Sequence, residues 1–372
     1  MTVFRIDWLP YFRDIYYALQ KRESRGNGFS MHRMLLMLLS IAVAATGTCS
    51  LLSCGGKPEG KGSDIPAAVR GEPVRIGVCM PSKGPWAELS RLQILGIRTA
   101  GEMFREKTGR NVELVFRDTG EPSRAFSETV RKLVSDDHVS GIISCASDDE
   151  AASTRTMPIQ KPVPFVSTSP YSGRHKTDEG LPVIRISTPL ESQAYACARF
   201  LSDELKAGRI GLVVDVEDPI IVKTASLFSS EVTKTASRIV DIAYVQKGQN
   251  PAASLTRLMG AKPDAVYIPL SGEGLMTVIE NLRSMEDDKS ILIGPFPAEE
   301  IILDGADKKL NGVYIQTNFL EKSVTSPRGR DFIEYFRKHA GRKTYLGSGI
   351  ATGADSLFLM LDMISVVQES NI

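Results

Sequence analysis

Side chains able to hold a small molecule recur just past short apolar runs in this 372-residue chain. Ser147, Asp148 and Asp149 follow the run at 139–145, and Ser169 and Tyr171 follow the run at 162–167. Ser271 and Glu273 come after 264–270, and Phe296 after 290–293. Trp86 stands beyond Pro81-Ser82-Lys83-Gly84-Pro85. Hydroxyls, carboxylates and aromatic rings placed this way suit hydrogen bonding and stacking, which is binding chemistry. Each also has a plainer use. Ser147 or Asp148 could cap a helix and Glu273 could be a solvated first-turn acid, since both suit a helix N-terminus. Trp86 could stack on a ligand or pack on its own lobe. Asp215, Glu217 and Asp218 could meet a cation or cap the helix expected from residue 222.

Bond-making chemistry has less support. There is no HExxH, GxSxG or P-loop, and no acid pairs recognisably with His32, His138, His175 or His339, which argues against an enzyme. The run Gly347-Ser348-Gly349-Ile350-Ala351-Thr352-Gly353 imitates a dinucleotide loop. It has the wrong final spacing and no strand before it, so no cofactor is expected. The five cysteines, at 49, 54, 79, 145 and 197, form no CxxC or Cys/His cluster, which argues against a structural metal site. With Lys+Arg 45 against Asp+Glu 44, the chain lacks the basic excess of a nucleic-acid protein.

The elements that would position these residues follow an α/β pattern. Val74, Ile76 and Val78 make a strand that Pro and Gly end, and a helix at 86–107 carries Leu89, Leu92, Leu95, Ile97 and Phe104. A strand at 112–116 completes a βαβ unit, the connection parallel strands require. A helix at 124–135 and strands at 139–145, 162–167 and 183–186 extend the sheet. The pattern then restarts. Helices are expected at 189–205, 222–237, 252–259 and 272–285, with strands at 209–214, 239–245, 264–270, 290–293 and 312–316. Helices at 327–339 and 349–367 end the chain. Two such halves in series read as two doubly wound parallel-sheet lobes joined by a hinge, with a cleft between them. Loops at the carboxyl ends of parallel strands are where ligands bind, and all the residues above fall on such loops. Cys79 and Cys145 end strands that can be neighbours; a disulfide there stands open beside the reading as two buried thiols.

The first 72 residues read differently. Met31-His32-Arg33-Met34 is a short basic start, and 35–45 is an apolar run within the length of about 7–15 residues typical of a signal peptide. Residues 1–30 are read as an upstream extension that is not part of the fold, with Met31 the true start. Leu51-Leu52-Ser53-Cys54 resembles a bacterial lipobox. That resemblance implies a lipoprotein signal peptide at 31–53, with Cys54 diacylated and a tether at 54–72 rich in Gly, Pro and charge. The alternative is an uncleaved membrane anchor at 34–52, close to the roughly 20 residues that span a bilayer.

The ordered landmarks VRIGVCMPSKGP, VPFVSTSP, PVIRISTP, KPDAVYIPL, LNGVYIQTNF and GADSLFLMLDMI resemble the type I periplasmic-binding-protein family. The specific likeness is to the Leu/Ile/Val-binding, extracellular-ligand-receptor branch of ABC importers. The resemblance implies crossovers near 187–190 and 315–319, lobe one at 73–187 plus 319–372, and lobe two at 188–318. It places solute contacts at Ser147 or Asp148 and near Ser169–Tyr171; the residue reading adds Trp86, Ser271 and Phe296 as candidate contacts. The family's pattern continues past 349–367 with a third crossover, so the given chain is expected to be a fragment or to hinge differently. Two features of amino-acid binders are missing. The Tyr-Gly step of lobe two falls in Asp218-Pro219-Ile220-Ile221, and the acid that meets the ligand amine falls on Pro295. A buried ammonium would lack its partner there.

Together these readings point to an extracytoplasmic solute-binding lipoprotein. It would close on an amino-acid-like or related small organic solute and meet ABC permease subunits, anchored to the membrane at Cys54. The alternative is a lipoprotein that uses this fold as a sensor or protein-interaction module.

Overall fold

The computed structural model describes residues 73–84, 86–119, 124–145, 163–171, 173, 183–246, 248–270, 272–285, 290–294, 311–340 and 344–370. The lipobox, Cys54, the signal segment and the tether lie outside them, as do Ser147, Asp148, Ser271 and Phe296. Among the described residues no helix is long and apolar enough to cross a membrane.

Lobe one is built on β1 (Val74–Met80), β2 (Val112–Asp118), β3 (Gly141–Ser144), β4 (Phe165–Ser167) and β5 (Val183–Arg185). They form one parallel sheet in the order β2-β1-β3-β4-β5. β1 is an interior strand between β2 and β3, buried along almost its whole length, as expected of a parallel strand covered on both faces. One cover is α2 (Arg124–Ser135), whose Leu133 sits so close to Gly77 that a Cβ there would lie 2.9 Å from it. The other cover is a pair of helices. α1 (Ala87–Thr108) turns Leu89, Leu92, Gln93, Gly96, Ile97, Ala100, Met103 and Phe104 inward and ends at Gly109, whose φ of 69° closes the helix.

Its partner in that layer is the last helix of the chain, α8 (Ser348–Ser370), which also packs on β3 and β4. The two helices touch backbone to backbone. A Cβ on Gly96 would lie 2.0 Å from the Ile350 carbonyl oxygen, and one on Gly353 would lie 2.1 Å from that of Gln93. The glycine pattern at 347–353 therefore serves a helix crossing, not a phosphate.

Lobe two repeats the plan. β6 (Arg209–Asp215), β7 (Arg238–Val245), β8 (Ala265–Ile268), β9 (Ser290–Ile293) and β10 (Val313–Ile315) form a parallel sheet in the order β10-β9-β8-β6-β7. Helices α3 (Leu190–Arg199), α4 (Pro219–Val232), α5 (Ala252–Gly260) and α6 (Gly272–Ser284) accompany it. Phe228, Leu212, Val213, Val266, Tyr267, Leu275 and Ile293 belong to a continuous apolar cluster in this lobe. The chain then returns through a short turn at Glu321–Ser323 to α7 (Pro327–His339), which contacts α1.

Three details depart from the sequence reading. The helix expected at 222–237 begins earlier, at Pro219, because Asp218 caps it and proline is tolerated at the first helical position. It ends at Val232, and 233–237 turn into β7. The helix expected at 189–205 changes to a π-helical turn at Phe200–Glu204. Cys79 and Cys145 do meet, with the Cys145 N–H donating to the Cys79 carbonyl at 3.3 Å, but they are buried thiols with no disulfide between them.

Candidate functional site

In a sheet of order 2-1-3-4-5 the crevice opens where neighbouring strands lead their connections to opposite faces, at the carboxyl ends of β1 and β3. Lobe one therefore presents the loop after β1 and the ends of β3, β4 and β5. The loop after β1 is pinned to β2: Asp118 accepts from the Ser82 backbone N–H at 3.0 Å and from the Ser82 hydroxyl. Trp86 follows as the residue before α1. It is half-buried and packs against the apolar cluster of lobe two.

Buried hydroxyls line the strand ends beneath this loop. Ser144 donates to the Cys79 carbonyl at 2.9 Å. The Thr168 hydroxyl lies 2.7 Å from Gln93 Oε1 and 3.2 Å from the Ser144 carbonyl, and Gln93 Nε2 returns a bond to the Thr168 carbonyl at 3.3 Å. Ser187, where the chain leaves the lobe, donates to the same carbonyl at 2.6 Å. Ser169 is 1% exposed and shares a 3.2 Å hydroxyl contact with Ser167. Tyr171 is half-buried, with the Arg185 guanidinium 5.2 Å above its ring. Register explains that meeting: Arg185 ends β5 level with Ser167 on β4, four residues before Tyr171.

Lobe two offers a more apolar surface at the matching positions. β8 leads into Pro269 and buried Leu270, and β9 ends at buried Ile293 and then Gly294. Among its acids, Asp218 accepts from the N–H groups of Ile220 and Ile221 at 2.9 and 3.3 Å, and Asp215 accepts from the Glu217 N–H at 2.9 Å. Their hydrogen bonds serve the chain's own turn and helix start, which leaves the cation-binding reading without support. Burial pushes the Asp218 carboxyl above the usual aspartate range, against the pull of its two backbone bonds. A recess of about 190 Å³ opens at the ends of β6 and β7, lined by Val216, Tyr244, Gln246, Asn250 and Ser254. It is smaller than the roughly 300 Å³ at which ligand pockets begin.

Deeper in lobe two lie Cys197 and Tyr267. Burial pushes the Cys197 thiol up to about 12, and it raises the Tyr267 phenol well above 10.0. Tyr267 packs on Phe228 with centroids 4.0 Å apart. Its hydroxyl reaches the Cys197 sulfur but makes no hydrogen bond of ordinary geometry. Both groups are neutral and inert at physiological pH. Among the described residues no cluster of three His, Cys, Asp or Glu side chains could hold a metal.

The structure thus brings Ser169 and Tyr171 to the same strand ends and sets Trp86 between the lobes. The sequence reading missed Gln93, Ser144, Thr168 and Arg185 at lobe one, and Gln193 and Gln316 at the crossovers. Gln93 carried a readable signal, as a polar residue inside the apolar stripe of α1. The glutamines at the crossovers carried none.

The sequence profile described as Periplasmic binding protein matches residues 73–367. No curated protein sequence matches the chain. Solved structures do. A leucine binding protein, LivK, from Thermotoga maritima is 24% identical, with a TM-score of 0.64 over 78% of this chain and 83% of that one. The branched-chain amino acid transporter substrate binding protein LivJ from Streptococcus pneumoniae, solved in complex with isoleucine, is 19% identical, with a TM-score of 0.67 over 79% and 87%. An ABC-transporter solute binding protein from R. palustris, in complex with 4-hydroxybenzoate, is 16% identical, with a TM-score of 0.62 over 79% and 80%. With two five-stranded parallel lobes and a profile match across nearly all the described residues, the chain belongs to the periplasmic binding protein family.

Proposed function

We propose that this chain is the extracytoplasmic solute-binding component of an ABC importer. It takes a small organic solute between its lobes, closes on it, and presents the closed form to permease subunits. The observation that carries this reading is the doubled sheet. Each lobe ends its strands in loops at a switch point, and the chain crosses between lobes after β5 and again after β10. A solute that touches both lobes favours the closed form by its differential affinity for it. The lobes are assigned as 73–187 with 319–372, and 188–318; the packing of α8 on α1 and β3 supports joining the chain's end to lobe one.

Trp86, Ser169 and Tyr171 are assigned to solute contact, with Ser147, Asp148, Ser271 and Phe296 on neighbouring loops by sequence. The solute class is a carboxylate or amide that carries no obligatory ammonium. Pro295 stands where the amino-acid binders of the resemblance place an acid, and the relatives bind solutes as different as isoleucine and 4-hydroxybenzoate. Anchoring through Cys54 is part of the same reading, and the mass of the mature N-terminal peptide from native membranes tests it.

Thermal melts against benzoate, 4-hydroxybenzoate, leucine, isoleucine, amides and polyamines test solute binding. A binder present at a hundredfold excess over Kd stabilises by about 2.7 kcal/mol. A shift with the benzoates and none with leucine is the expected result. A shift with leucine alone overturns the solute class. A cooperative melt that no solute moves turns the reading toward a sensor or interaction module.

A further inference from the structure

The two crossovers between the lobes are tied together by side-chain amides. Gln193, in the first turn of α3 and 2% exposed, donates from Nε2 to the carbonyl of Thr188 in the first crossover, at 2.8 Å. Its Oε1 accepts from Nε2 of Gln316, which opens the second crossover, at 3.2 Å. Gln316 Oε1 in turn accepts from the Cys197 thiol at 2.9 Å. The Gln316 backbone N–H donates to the Ile293 carbonyl at 2.8 Å, which fixes the residue on the end of β9.

This chain of bonds has an anchor at each end. On the lobe-two side Gln316 presses on Gly294: a Cβ there would lie 2.7 Å from both Cβ and Oε1 of Gln316. On the lobe-one side the first residues of α3 hold the loop that carries Tyr171. The Leu190 N–H donates to the Tyr171 carbonyl at 2.9 Å, and Glu191 Oε1 accepts from the Gly173 N–H at 2.8 Å. An unbroken run of contacts thus leads from the Tyr171 loop, through α3, to Gly294.

The buried amide of Gln193 must stay paired, since an unpaired one costs about 1–3 kcal/mol. A rotation about the crossovers that moves Thr188 against Gln316 must therefore keep these bonds, break them together, or exchange them for others. Such a cluster has discrete states and resists intermediate ones.

We propose that Gln193 and Gln316 form a clamp on the lobe-two side of the hinge that ties the two crossovers together and couples them to the Gly294 segment. They act as positioning residues, without touching solute. The clamp's use depends on the lobe-closing function proposed above, but its existence does not, and it is tested with no solute present.

Cys197 is the natural reporter, because its thiol is covered by Gln316. The full chain is treated with iodoacetamide at alkaline pH, and each cysteine is read by peptide mass spectrometry. Gln316→Met and Gln193→Met keep the bulk and remove the amide. Each is expected to speed alkylation of Cys197 about tenfold through local opening, with Cys79 and Cys145 unchanged. The double variant is expected to add nothing beyond either single one, since the residues share one network. Unchanged Cys197 labelling overturns the proposal, and so does a rise shared by Cys79 and Cys145, which reports general unfolding. Should the variants fail to fold, hydrogen exchange on the unaltered chain decides. The amides of Leu190 and Gln316 are expected to open as one unit, and rates differing by much more than about tenfold overturn the clamp.

Discussion

The two lobes share one topology and differ in what they put at its working end. Read from the opposite edge, the lobe-two order β7-β6-β8-β9-β10 is the lobe-one order β2-β1-β3-β4-β5, strand for strand. Yet β3 and β4 end in Ser144 and in Ser167, Thr168 and Ser169, whereas β8 and β9 end in Ile268, Pro269, Leu270, Ile293 and Gly294. At the strand ends of lobe one Gln93, Thr168, Ser144 and Ser187 satisfy one another and the backbone, while the buried Ser90 hydroxyl on α1 has no bond of ordinary geometry. Lobe two leaves the Tyr267 hydroxyl without a bond of ordinary geometry. The fold fixes where a solute can sit, and the side chains at the strand ends decide which lobe holds its polar groups. In the solute-binding reading proposed above, lobe one would supply the hydrogen bonds and lobe two the apolar cover.

The helix layer of lobe one is expected to be the part most sensitive to an added methyl group. Gly96→Ala or Gly353→Ala drives a methyl group into a backbone carbonyl that has no side chain to swing aside. The expected loss is about 3 kcal/mol or more, at the top of the overpacking range. In lobe two a Cβ on Gly211 would meet only the Leu258 side chain, at 3.1 Å, so Gly211→Ala is expected to cost far less. Urea unfolding gives the size, and hydrogen exchange shows where it falls. If the lobes are separate cores, Gly96→Ala lowers protection in lobe one and spares β6 and β8. Equal loss in both lobes would mean that they unfold as one body.

Lobe two holds a buried thiol and phenol that respond to alkali. Burial raises Cys197 and Tyr267 in the folded state above their ordinary values of 9.0 and 10.0. The folded lobe keeps both protons through a pH range in which the unfolded chain loses them. Stability from this source is complete below pH 9 and declines as pH rises toward about 12, by at most about 1.4 kcal/mol per pH unit for each group. Urea midpoints at pH 8 and pH 10.5 are expected to fall further for the unaltered protein than for Cys197→Ala combined with Tyr267→Phe. An equal fall in both would remove these two groups as the cause.

The layout was legible in the sequence because it rests on apolar periodicity. The run VRIGVCM, the alternation in VELVFRD and the stripe of α1 were enough to place β1, β2 and the helix between them. The polar net was less legible, because it is made by residues far apart in the chain. Gln93 and Thr168 are 75 positions apart, and Gln193 and Gln316 are 123 apart. Tyr171 and Arg185 meet only because β4 and β5 pair in a particular register. The role of Gly353 was hidden for a related reason: its neighbour is a carbonyl on α1, which no local pattern reveals.

A paired substitution sharpens the contrast in buried hydroxyls. Thr168→Val removes a hydroxyl that Gln93 and the Ser144 carbonyl both use, so it strands a buried amide and is expected to cost about 1–3 kcal/mol. Tyr267→Phe removes a hydroxyl with no such bond, and is expected to be neutral or to stabilise by up to about 1 kcal/mol. Thermal midpoints of the two variants decide. A loss of equal size in both would show that the Tyr267 hydroxyl is bonded after all, to the Cys197 sulfur.

The smallest effect concerns Asp218, where lobe two does spend a charge. Its carboxylate caps α4 through Ile220 and Ile221, so Asp218→Ala is expected to cost about 1 kcal/mol. Asp218→Asn keeps an acceptor in the same place and carries no charge, and asparagine caps helices about as well as aspartate. Because burial holds the folded-state carboxyl above 3.8, the fold favours the protonated form, and the stability gained that way is lost as pH rises from 3.8 through the folded value. The Asn variant has no such loss. Its midpoint relative to the unaltered protein is therefore expected to climb as pH rises through that range and then level off. A difference that stays flat, or that falls, would mean that the helix dipole outweighs burial at this cap and that the charge itself stabilises α4.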